Sequence, residues 1–166
     1  RVCCSRISAF PMAPASGLGI TTTLRLPAGG EKPLLSWVRW HLGLGFDHAF
    51  LFFDEPRPDG ADDAWAPVGA REVRARWAPE RVTVVHRTAE QRAWQRARCS
   101  AWAEFGPHAD DEVQARQVLN AEQAMALALA PERALRWLVH LDIDELFYLE
   151  PPVARAGEEA GAAGEE

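Results

Sequence analysis

The chain has 166 residues, of which 48% are hydrophobic and 25% charged, with a formal net charge of -6. Such a composition suits one soluble globular domain with a real core and hardly room for two. The charge argues against a general nucleic-acid binder, whose footprint would be basic, although an anion can bind where a cation supplies local positive charge.

Residues 1–19 hold Pro11, Pro14, Gly17 and Gly19 with little periodicity and read as an irregular leader. Cys3, Cys4 and Cys99 make neither a C-x-x-C pair nor a disulfide framework. A start at Arg1, just before adjacent cysteines, suggests a fragment or processed form with a ragged boundary. No apolar run approaches the roughly 18 residues of a membrane helix, so any anchor or targeting segment would lie outside this sequence.

Ile20, Thr22, Leu24 and Leu26 alternate with Thr21, Thr23 and Arg25, which predicts a first strand. A helix follows, with Glu31 at its positive end, Pro33 in its first turn, and Leu34, Leu35, Trp37, Val38, His41 and Leu42 at helical spacing. After Gly43 and Gly45, the apolar run His48 to Phe53 predicts a second strand that closes on Asp54 and Glu55. This β-α-β order implies a right-handed crossover and a parallel sheet. Residues 56–69 read as a loop, with a short helical segment near Glu72 to Trp77 and a third strand from Arg81 to His86. One helix is expected from Ala89 to Phe105 and another from Asp110 to Ala130, with Val118, Ala121, Met125 and Leu129 as the buried stripe of the latter.

Trp137-Leu-Val-His-Leu-Asp-Ile-Asp-Glu-Leu-Phe147 then predicts a buried strand ending in carboxylates. Alternation would point Asp142 and Asp144 the same way. Two hard oxygen ligands suit Mg²⁺ or Mn²⁺, which keep water and phosphate in their other positions. The alternative is a strand followed by an acidic turn. In an open parallel sheet, ligands bind beyond the carboxyl ends of the strands. Asp54 and the Asp142/Asp144 pair would therefore share one crevice, where one set holds a metal and the other a base or sugar. Clustered carboxylates repel, so a purely structural fold has little use for two acidic strand exits on one edge. Residues 151–166 are small, acidic and low in complexity, and read as a disordered tail.

The segment from Gly30 through Trp37, His41 and Phe46-Asp-His48 to Asp54 resembles the opening of family 2-like and family 92-type glycosyltransferases. Gln117 to Ala124 looks like the helix before their metal motif, and Trp137 to Phe147 is similar to their Asp-x-Asp-Glu segment. The resemblance covers roughly residues 20–150 and implies a Rossmann-like α/β domain of the GT-A fold, incomplete at its carboxyl end. It implies a transferase that moves a sugar from a nucleotide-diphospho-sugar to a glycan, protein or lipid acceptor of unknown identity. By that resemblance Asp142 and Asp144 hold Mn²⁺ or Mg²⁺ against the donor diphosphate, Glu31 and Asp54 lie on the nucleotide side, and Glu145 orients the motif. It leaves the location unknown and allows the Golgi or another secretory membrane, with any anchor outside this chain.

Departures from the family pattern are the first loop, Gly29-Gly-Glu-Lys32, and the loop after Asp54, Glu55-Pro-Arg-Pro-Asp-Gly60. The general base of such enzymes lies downstream of the Asp-x-Asp strand, and no candidate for it follows here. The second expectation is therefore a truncated or degenerate nucleotide-sugar-binding module without transfer. A phosphatase-like hydrolase also uses a strand ending in Asp-x-Asp, but Leu146 stands where its nucleophile loop needs a small residue. Trp37, Trp94, Trp102 and Trp137 read as core rather than sugar platforms. His140, His41 and His86 read as structural, and Arg92, Arg96 and Arg98 as a solvated face.

Overall fold

A computed structural model describes residues 17–27, 30–56 and 66–149. The order of elements is β1 (Leu18–Leu24), α1 (Glu31–Gly43), β2 (His48–Pro56), α2 (Val68–Arg76), β3 (Val82–Arg87), α3 (Ala89–Arg98), α4 (Trp102–Phe105), a 3-10 turn (Gly106–His108), α5 (Val113–Ala128) and β4 (Trp137–His140). The four strands form one sheet in the order β3-β2-β1-β4. Every pairing is parallel, with Leu24 opposite Phe53 and Thr21 opposite His140. All four strands therefore end on the same edge. The architecture is α/β with a parallel sheet and is compatible with a Rossmann-like arrangement.

Alternation divides the core between the two faces of the sheet. Ile20, Leu24, Leu51 and Phe53 pack beneath α1 and α2, against Leu34, Trp37, Val38, Ala70 and Val73. Phe50 and Phe52 face the opposite way, toward Ala124 and Ala128 of α5 and Leu135. Helix α1 buries Leu34, Trp37, Val38 and His41, an i, i+3, i+4, i+7 stripe that holds the helix flat on the sheet. Gly45 turns the chain from α1 into β2 at φ 101°, a backbone region that a side chain disfavours.

Four sequence expectations change. The first strand begins at Leu18, inside the stretch read as leader, because Gly17 accepts from the N–H groups of Arg136 and Trp137 and starts the β1–β4 ladder. The helix expected from Ala89 to Phe105 breaks after Arg98. There the Glu122 carboxylate accepts from the N–H groups of Ser100 (2.5 Å) and Ala101 (3.0 Å) and restarts the chain as α4. Burial pushes this carboxyl up, but those two backbone bonds and a third from the Ser100 side chain together hold it below its ordinary range.

Helix α5 buries the opposite side from the one its apolar stripe marks. Ala115, Leu119, Asn120, Gln123, Ala124 and Ala128 face inward, while Val118, Met125 and Leu129 are exposed. Trp137, expected in the core, is 69% exposed, because β4 is an edge strand of this sheet; Trp94 and Trp102 are half-buried. Residues 151–166 lie outside the described residues. Among the described residues no helix is long and apolar enough to cross a membrane.

Candidate functional site

Asp54 stands at the carboxyl end of β2, 4% exposed, on the α5 side of the sheet with Phe50 and Phe52. An isolated carboxylate there would be strongly disfavoured. Arg116 of α5 resolves it with a two-pronged pair, Nε to Oδ1 at 2.5 Å and Nη2 to Oδ2 at 2.8 Å. Arg25 approaches Oδ2 at 3.5 Å from the end of β1. The remaining Arg116 nitrogen, Nη1, donates to the carbonyls of Ala109 and Asp110. Asp54 is thus held in place. A ligand reaching that carboxylate must share it with Arg116.

Asp142 and Asp144 lie just past β4, in a turn closed by the Glu145 N–H donating to the Asp142 carbonyl (3.0 Å). The strand ends at His140, so the two aspartates do not alternate on a strand; the acidic-turn alternative describes the local backbone. Both are exposed. Glu145 reaches back, its carboxylate accepting from the Asp142 N–H at 3.1 Å. The Asp142 carboxylate accepts from the Gln117 side chain at 3.2 Å.

Arg116 and Gln117 are consecutive on α5, so one turn of one helix binds the acid of β2 and the acid beyond β4. One turn further on, Asn120 donates to the Thr23 hydroxyl of β1 at 3.0 Å. Helix α5 therefore spans the carboxyl edge across β2, β1 and β4. Its polar inward face continues into a quartet of side-chain amides. Gln91 and Gln95 of α3 each donate to Asn120 and to Gln123, at 2.9–3.4 Å. Satisfied in this way, Gln95, Asn120 and Gln123 can be buried at modest cost.

The second anchor of the acidic turn is α1. Trp37 donates its indole N–H to the Glu145 carbonyl (2.8 Å), and Trp40 donates to the Phe147 carbonyl (2.9 Å). The Phe147 N–H donates to His41 Nε2 at 3.1 Å, while His41 Nδ1 contacts the Trp37 carbonyl at 2.8 Å. This arrangement selects the tautomer with its proton on Nδ1. Burial lowers the His41 pKa despite that backbone bond, in accord with a neutral ring.

Glu31 opens α1 at the same edge, half-buried in the first turn. His140 is exposed and not the core residue its parity suggested. His86 is buried beside Arg74 and His41 beneath the turn, both structural as expected. Arg116, the amide quartet and the Trp40 bond were not singled out in sequence. The one signal near them was the likeness of residues 117–124, which include Asn120 and Gln123, to the helix that precedes a metal motif.

A cleft of about 180 Å³ opens on this edge between the end of β2, α3 and α5. Its polar lining includes Asp54, Arg87, Gln91, Arg92, Asp110 and Arg116. Among the described residues no three His, Cys, Asp or Glu side chains converge as a metal cage. The turn itself offers two exposed carboxylates, Asp142 and Asp144, so a cation held there would need phosphate and water to complete its coordination. No protein-family model, curated protein or solved structure matches the chain.

Proposed function

We propose that the carboxyl edge of this sheet is the donor site of a metal-dependent glycosyltransferase, built on a GT-A-type domain and taking a nucleotide-diphospho-sugar. The observation that carries the reading is the junction at Arg116 and Gln117. It brings an acid from β2 and the acidic turn after β4 onto one helix turn, at the edge where parallel sheets bind ligands. Asp142 and Asp144 would hold Mn²⁺ or Mg²⁺, with the diphosphate completing its shell. A cation so placed supplies Lewis-acid charge that offsets the charge growing on the departing nucleotide diphosphate.

The chain's own residues do the positioning. Trp37, Trp40 and His41 fix the backbone of the turn, and Glu145 fixes the Asp142 N–H. Arg116 and the buried amides form the wall beside which the nucleoside would lie. Glu31 and Asp54 are the acids on that side, and Asp54 would contact the nucleotide together with Arg116 rather than alone.

A second reading, a nucleotide-sugar-binding module without transfer, is favoured by how the carboxylates of this edge are committed. Asp54 is paired with Arg116, Glu55 accepts from the Leu26 N–H, and Glu145 accepts from the Asp142 N–H. Asp54 and Glu145 would each give up a bond in taking a proton from an acceptor hydroxyl, whereas Glu55 keeps a buried Oε2 with no hydrogen-bond partner among the described residues. Calorimetry with uridine or guanosine diphosphate, with and without Mn²⁺, tests both readings. Metal-dependent binding lost in Asp142→Ala supports the donor site, and binding without turnover across an acceptor screen selects the module. Absence of binding, with Asp142→Ala indistinguishable from wild type, rules out the donor site.

A further inference from the structure

The cleft carries three arginines, Arg87, Arg92 and Arg116, against two aspartates, Asp54 and Asp110. Asp54 is buried and belongs to Arg116. Asp110 differs: it lies on the turn between the 3-10 segment and α5, with its side chain 65% exposed. Its Oδ1 is shared by Arg92 and, at 3.6 Å, by Arg87. The same arginines hold the backbone of that turn. Arg87 donates to the Asp110 carbonyl, Arg92 to Gly106 and Arg116 to Ala109. Every arginine lining the cleft thus reaches one short turn, and two converge on one exposed carboxylate.

We propose that Arg87 and Arg92 form a binding site for a phosphoryl group, occupied in this structure by the Asp110 carboxylate as an internal, displaceable anion. Two guanidinium groups converging on one oxygen offer more donors than a carboxylate accepts, whereas a phosphoryl group has three strong acceptor oxygens. The backbones of Arg87 and Arg92 are set in β3 and α3, and their guanidinium groups also bond the carbonyls of Asp110 and Gly106, which do not depend on the anion. An exposed ion pair contributes little stability, so losing the Asp110 contact costs the fold little. Displacement removes one negative charge from a cleft whose other carboxylate is already neutralised. That local excess of positive charge attracts an anion to a chain of net charge -6.

The strands β3 and β4 are separated by β2 and β1, about 14 Å at three strand spacings. The phosphoryl group on Arg87 and Arg92 is therefore not the diphosphate proposed at Asp142 and Asp144. The ligand class is a phosphate monoester, bound at the β3 end of the same cleft whose Arg116 wall the donor reading gives to the nucleoside.

Titration with inorganic pyrophosphate in metal-free chloride buffer, followed by calorimetry, tests the site. Asp110→Asn should bind about fivefold tighter than wild type, and Arg92→Ala and Arg87→Ala should lose binding. Arg39→Ala, on the far face of the sheet, should match wild type. Unchanged or weaker binding in Asp110→Asn with an unaltered melting temperature overturns the proposal. So does retention of wild-type affinity in Arg92→Ala. If Asp110→Asn instead lowers the melting temperature, the Arg92→Ala and Arg39→Ala pair decides. Affinity for a nucleoside diphosphate with Mn²⁺ should be insensitive to Arg92→Ala if the two anion sites are separate. A parallel loss would merge them and overturn the separation, whereas loss only in Asp142→Ala concerns the donor site alone.

Discussion

The backbone N–H of Phe147 donates to Nε2 of His41, joining positions 106 residues apart in the chain. The bond requires a neutral ring with an unprotonated Nε2, and burial favours that form. His41 thereby makes the order of the acidic turn depend on the protonation of a residue on α1.

Acid should weaken this clasp and the fold together. His48 is buried, and that burial lowers its pKa to about 4, with the Glu80 carbonyl opposing and Arg133 and Arg81 assisting. Its folded pKa lies below the unfolded value near 6.5, so the unfolded chain takes up the proton first. Stability from His48 is complete above pH 6.5, declines as pH falls toward 4, and levels off below that. The full loss is of order 3 kcal/mol. His41 acts in the same direction. Urea denaturation between pH 7.5 and 4 should show this decline, and His48→Gln should flatten the profile.

Removing Arg116 should be far more damaging than removing Asp142. Arg116→Ala leaves the Asp54 carboxylate buried without its two-pronged partner and should cost about 3–5 kcal/mol. Changing both members, Asp54→Asn with Arg116→Gln, should recover most of that loss. Asp142 is exposed and makes contacts only at the surface, so Asp142→Ala should stay within about 0.5 kcal/mol of wild type. Denaturant midpoints for the three variants check the ranking.

Gly45→Ala should destabilise the chain by roughly 1–2 kcal/mol. The position has open space around it, so the penalty comes from its φ of 101° and not from a clash. Gly45→Asn should cost less than Gly45→Ala, since asparagine tolerates left-handed backbone better. Thermal unfolding of both variants decides whether backbone strain or packing is responsible.

Gln117→Ala should leave stability within about 0.5 kcal/mol of wild type, because the bond it removes is exposed. It should not reduce Mn²⁺-dependent nucleotide affinity. The amide competes with a cation for the same Asp142 oxygen, and its loss frees that oxygen. A marked fall in affinity would show Gln117 touching the ligand instead.

The strands and α1 were legible in the sequence because their residues obey local rules. The apolar run of β2, the i, i+3, i+4 stripe of α1 and the glycines after it need no distant partner to be read. Helix α5 was misread for the opposite reason. Its apolar stripe, Val118, Met125 and Leu129, faces outward, while Asn120 and Gln123 face in. Burial of those amides depends on Gln91, Gln95 and Thr23, which are far away in the chain. Likewise the break after Arg98 contains no proline or glycine, and what stabilises it is the carboxylate of Glu122. At the site, alternation correctly put Thr22 and Thr23 on opposite faces and Asp54 at a strand exit. Pattern alone could not show that Asp54 has its own arginine, or that β4 stops two residues before Asp142.

A side-chain amide turned end for end keeps its shape and exchanges donor for acceptor. In the quartet of Gln91, Gln95, Asn120 and Gln123, the two glutamines of α3 donate to both residues of α5, and Asn120 donates to the Thr23 hydroxyl. Reversing all four amides yields a second complete set of bonds, because the threonine hydroxyl can donate as readily as it accepts. The geometry of the layer beneath the cleft is thus compatible with either direction of its amide bonds. Gln91 and Gln95, which line the cleft, can face a ligand with either polarity while the fold stays unchanged. Side-chain amide ¹⁵N shifts recorded with and without a nucleotide would show the reversal as a concerted change in all four residues.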